Sequence, residues 1–83
     1  MICDYSKVLN YAKDGEWDIA HQLIQSHSDK TSCLIHGYLH RIEGDLSNAN
    51  YWYARAESMM PDNTLEEELN RLYLLVNNLS ESQ

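Results

Sequence analysis

Two short stretches of this chain are near-copies of each other, and they limit what it can fold into. Gly15-Glu16-Trp17-Asp18-Ile19-Ala20 and Gly44-Asp45-Leu46-Ser47-Asn48-Ala49 share the order glycine, acid, bulky apolar, polar, variable, alanine, at a separation of 29 residues. Each follows a run with helical spacing of apolar residues and precedes another. A glycine closes a helix because it takes the left-handed backbone without penalty. The acid after it suits the start of the next helix, by capping it or by complementing its dipole. The pattern therefore reads as two helical hairpins, each turning at Gly-acid. With one proline and three glycines in 83 residues, little else interrupts helices.

The runs between these turns fill in the rest. Residues 4–14 place Tyr5, Val8, Leu9 and Ala12 on one stripe. Residues 16–27 place Trp17, Ala20, His21 and Ile24 on a face that Ile19 and Leu23 widen. Residues 30–43 are apolar around much of the helix, through Cys33, Leu34, Ile35, Tyr38, Leu39 and Ile42. Such a helix is contacted on several sides. Gly37 in its middle costs about 1 kcal/mol relative to alanine, which makes sense if a second backbone approaches there. Either Ser28 or Asp29 can cap this helix. Residues 46–60 offer Ala49, Trp52, Tyr53, Ala56 and Met59 or Met60 as a core face, with Pro61 as the stop. Thr64 and Glu67 form a capping box, opening a last helix to about residue 79. Its stripe is Leu65, Leu69, Leu72, Val76 and Leu79, broadened by Tyr73, Leu74 and Leu75, with fraying expected from Ser80 to Gln83. Glu66-Glu67-Glu68 reads as a solvated, dipole-favoured helix start. The expected fold class is all-α, about five helices in one domain.

Charge and composition narrow the function. A formal net charge of −7 disfavours nucleic acid and anionic membranes as partners. No stretch approaches the length and apolarity of a membrane span or signal peptide. Cys3 and Cys33 are too few for a disulfide scaffold, and no C-x-x-C pair suggests zinc. The expectation is a cytoplasmic protein with reduced thiols.

The paired hairpins resemble the tetratricopeptide repeat. Gly37, Gly44-Asp45, Ala49, Tyr53, Ala56 and Pro61 stand at that family's relative spacings. The first unit keeps mainly Gly15 and Ala20, and Cys33 and His40 replace the large aromatics usual in a leading helix. The resemblance implies a first repeat over about 4–29, a second over about 30–61 and a capping helix over about 64–79. It also implies a non-enzymatic protein-interaction module whose groove is lined by the leading helices, with a protein or peptide as partner. Leu34, Tyr38, Arg41 and Ile42 are then the groove candidates, and Tyr51 and Arg55 further contacts. The last helix offers a surface for self-association into a homo-oligomer.

Histidines set up a rival reading. His36 and His40 lie one turn apart on one face, Glu43 falls on the same stripe, and His21 can reach the region. With Asn48 these residues are candidates for a polar pocket. If a divalent metal binds anywhere, His36, His40 and Glu43 are the expected ligands. The glutamate of the H-E-x-x-H motif is missing, since Gly37 follows His36. The rival is thus a small metal-binding or enzymatic protein using His21, His36, His40 and Glu43, the histidine pair serving in acid–base catalysis. No nucleophile, phosphate loop or carboxylate pair accompanies them, so an enzyme is the less favoured reading. No cofactor is expected. The simplest account makes His36 and His40 structural, hydrogen-bonded to Asn48, Tyr53 or the Trp52 indole.

Overall fold

The computed structural model describes residues 3–81. Of the stretch expected to fray, Ser80 and Glu81 instead continue the last helix, and the last two residues lie outside the described residues. Five helices occur in order: α1 (Tyr5–Lys13), α2 (Trp17–Ile24), α3 (Lys30–Ile42), α4 (Leu46–Arg55) and α5 (Leu65–Glu81). The fold is all-α. Among the described residues no helix is long and apolar enough to cross a membrane.

Three helix ends share one closure. Gly15 (φ +83°) and Gly44 (φ +84°) are left-handed. At the first, the Gly15 N–H donates to the Ala12 carbonyl and the Glu16 N–H to Tyr11; at the second, Gly44 donates to Arg41 and Asp45 to His40. This 5→2 and 6→1 pairing is the Schellman motif. The same pairing ends α4, where Glu57 donates to the Ala54 carbonyl and Ser58 to Tyr53. There the left-handed residue is Glu57 (φ +58°). The helix expected over 46–60 therefore stops at Arg55. Pro61 does not stop it, and Met59 is exposed rather than in the core. α2 likewise ends at Ile24 rather than residue 27, and Ile19 and Leu23 on it are partly exposed.

Caps define the helix starts. Asp4, Asp29 and Asp45 accept the backbone N–H groups of Lys7, Ser32 and Asn48. Thr64 and Glu67 exchange reciprocal bonds of 3.0 and 2.9 Å. Glu16 makes no side-chain cap; its charge at the start of α2 is favoured by the dipole alone.

α3 is the central helix, packed against α1, α2, α4 and α5. Its approach to α4 is close at Gly37, where an added Cβ would lie 2.8 Å from the Tyr53 ring and 3.2 Å from the Ala49 carbonyl oxygen. Val8, Leu9, Ala20, Ile24, Ile35, Leu39, Leu72 and Val76 make the main core. α5 lies across α1 and α3, the leading helices of both hairpins; its backbone comes close to neither α2 nor α4, and it meets α4 through the Glu68 side chain. The groove that the leading helices were expected to offer is thus filled by the chain's own last helix.

That placement overturns the reading of Glu68 as solvated. Its carboxylate is fully buried. It accepts from the Tyr53 hydroxyl (2.7 Å), Asn63 Nδ2 (3.1 Å), and Arg71 Nε and Nη2 (2.7 and 2.8 Å). A buried carboxylate survives only when its lone pairs are so occupied.

Candidate functional site

α2 and α3 pack against each other, and their histidines meet across that contact. Ala20, fully buried, seats α2 against the core, and His21 follows it. His36 and His40 stand on successive turns of α3, both buried. The rings of the three imidazoles lie 4.9 to 5.4 Å apart, centroid to centroid. One nitrogen from each falls within 4.8 Å of the other two. His36 Nε2 is 3.2 Å from His21 Nε2, a hydrogen bond whose direction depends on the tautomers.

Aromatic rings fix the imidazole planes from both sides. Trp17 stacks on His21, centroids 4.7 Å apart and 10° from parallel. Trp52 stacks on His36 at 3.8 Å and 10°. The Trp17 indole is itself held, donating from Nε1 to the Leu39 carbonyl. Outside Trp52 lies the Arg55 guanidinium, 4.8 Å from that ring and 5.8 Å from Tyr51. Arg55, Trp52 and His36 thus run inward from the α4 surface to the cluster.

Electrostatics disfavour charge on His21 and His36. Burial holds His36 down to about 4, and repulsion by charge on His21, His40 and Arg55 adds to it. His21 is lowered too, by burial first and by His40 second. His40 directs Nδ1 to Glu43 Oε1 at 2.6 Å, so that Nε2 is the ring nitrogen not engaged by Glu43. Among the described residues, buried His36 Nδ1 has no hydrogen-bond partner.

The pocket candidates divide accordingly. His21, His36 and His40 converge, with Glu43 behind His40. The metal set expected from spacing changes: Glu43 groups with His40 and Asp45, and His21 takes its place beside His36. Spacing along one helix shows who shares a stripe, but the third imidazole comes from α2. Asn48 is half-buried, and no hydrogen bond joins it to either histidine among the described residues. The Tyr53 hydroxyl serves Glu68 instead, and Trp52 meets His36 face on.

The groove candidates divide as well. Tyr38 is buried in the core, and Leu34 packs against it half-buried. Arg41 is bound internally, to Asn63 Oδ1 at 2.8 Å and the Asn63 carbonyl at 2.6 Å. Neither Tyr38 nor Arg41 is open to a groove partner. Ile42 is partly exposed, and Tyr51 is exposed at 55%. Sequence patterning does not single out Asn63 or Arg71. For Glu68 there is a signal: it stands four and eight residues before Leu72 and Val76, on their buried face.

Comparison with family models, with curated proteins and with solved structures finds no match for this chain.

Proposed function

We propose that this protein is a non-enzymatic protein-interaction module of tetratricopeptide-like build, and that it binds through the outer face of α4. The support for the fold relationship is the repeated hairpin, closed twice by the same glycine-centred motif. The observation that carries the binding surface is the state of α4. That helix packs its backbone closely on α3, and its described side-chain bond to α5 runs inward, from Tyr53 to Glu68. It leaves Leu46 and Tyr51 more than half exposed, with Arg55 beside Tyr51. Ile42, just before the turn, extends the apolar area. Exposed aromatics next to an arginine are the usual composition of an energetic centre in an interface. Arg55 supplies a cation that a partner's carboxylate can meet.

The partner class is a protein or peptide. A second copy of this chain is included, since a domain of this size gains stability from association. We place the protein in the cytoplasm, where the buried free thiols of Cys3 and Cys33 stay reduced.

Affinity recovery from a native lysate tests the surface. Tyr51→Ala combined with Arg55→Glu removes the contact without touching the main core. Recovery of a specific partner with the wild type and its loss with the double variant is the expected result. Equal recovery with both proteins removes α4 from the interface.

A further inference from the structure

We propose that His21, His36 and His40 bind a single first-row divalent metal ion, zinc being the best fit, with Glu43 as the carboxylate that orients His40. Distances support it first. Zinc bound to imidazole at about 2.0–2.1 Å in a tetrahedron holds its nitrogens roughly 3.3 Å apart. The His21 and His36 Nε2 atoms are already 3.2 Å apart. The third nitrogen lies within 4.8 Å of both, and binding draws it inward to the tetrahedral spacing.

The surroundings match what a metal site requires. Ligating histidines characteristically give their other nitrogen to a carboxylate or carbonyl, which fixes the tautomer and the ring. The 2.6 Å contact from His40 Nδ1 to Glu43 does this, leaving Nε2 to coordinate. The planes of His21 and His36 are set by Trp17 and Trp52, so little ordering entropy remains to be lost on binding.

The competing account is an imidazole cluster that only fills space. It fits less well. Filling space does not require imidazoles, whose buried nitrogens carry a desolvation cost that an apolar side chain avoids; His36 Nδ1, without a partner among the described residues, bears that cost in either account. The Trp17 and Trp52 stacks account for the planes of His21 and His36, but they do not require that one nitrogen from each of three imidazoles gather within 4.8 Å. Imidazole donors select zinc, copper, cobalt or nickel over calcium or magnesium. Three protein ligands leave the fourth position to water. The second cluster, His40, Glu43 and Asp45, has exposed carboxylates and shares His40, so it is not a separate site.

The test uses the full chain without an affinity tag. Protein is dialysed against ZnCl2 and then against buffer, and bound zinc is measured by elemental analysis. CoCl2 is titrated in parallel, and its visible absorption reports coordination geometry. One equivalent of zinc and a tetrahedral cobalt spectrum are expected. His21→Asn and His36→Asn should each weaken binding by more than about 100-fold, and Glu43→Gln by about 10–100-fold. His21 is half-buried at the edge of the cluster, so His21→Asn decides the matter even if His36→Asn fails to fold. Two results overturn the proposal: a folded wild type that takes up no zinc or cobalt, or undiminished uptake in folded His21→Asn.

Discussion

Two residues hold backbone positions that a routine substitution would test. Gly37 faces the Tyr53 ring at distances no Cβ can share, and the Ala49 carbonyl oxygen at a distance that few tolerate. Alanine has the better helix propensity by about 1 kcal/mol, but the overpacking cost is about 1–3 kcal/mol. The obstacle includes backbone of α4, which cannot swing aside as a side-chain tip does. Gly37→Ala is therefore expected to lower stability, by up to about 2 kcal/mol, read from urea denaturation midpoints. Glu57 is the reverse case. It holds a left-handed backbone at φ +58°, for which an L-residue is strained by about 1–2 kcal/mol. Glycine removes that strain and loses part of the gain to greater freedom in the unfolded chain. The ion pair of Glu57 with Lys30 lies on the surface and adds little. Glu57→Gly should raise stability by about 0.5–1 kcal/mol in the same assay.

At the level of elements, α5 is joined to α4 through one buried carboxylate. Burial alone would raise the Glu68 pKa, but the bonds from Arg71, Tyr53 and Asn63 outweigh it, and the net shift is downward. A carboxylate with a lowered folded-state pKa stabilises the fold fully above its unfolded value of 4.5. That contribution is lost as pH falls through the lower folded-state value. Denaturation midpoints measured from pH 7 to pH 3 should fall, and Glu68→Gln should flatten part of the slope. Removing the carboxylate altogether leaves the Tyr53 hydroxyl without its acceptor. Glu68→Ala is expected to cost about 3–5 kcal/mol, measured by the same midpoints. The early end of α4 belongs to this scale too. Residues 56–64 leave the helix so that Asn63 reaches both Arg41 and Glu68.

Across the whole molecule, α5 does not extend the row of hairpins as a cap does. It crosses both leading helices and completes the core. Fully burying Leu72 and Val76 contributes about 1.5–3 kcal/mol each, and the Glu68 network adds to it. A domain of this size has a total stability on the order of 5 kcal/mol. A chain ending at Asp62 should therefore lack a cooperative thermal transition by circular dichroism. Retention of a sharp transition would mean that the two hairpins fold alone.

What the chain's residues determine by themselves is local. The spacing of apolar side chains, the Gly15 and Gly44 closures, the aspartate caps and the Thr64–Glu67 box each depend on neighbours a few residues away, so they are legible as written. The close approach at Gly37 is legible because a mid-helix glycine needs a reason. Tertiary structure alone decided where α5 lies, because its apolar stripe suits any complementary face. It also decided that Glu57 takes the left-handed position. The destination of the chain after Arg55 fixes that turn, and residue type does not. It made Tyr38 and Arg41 internal, since the chain beyond α4 returns across both. The histidines show the division most plainly. Sequence put His36, His40 and Glu43 on one stripe, but only the packing of α2 brings His21 to them.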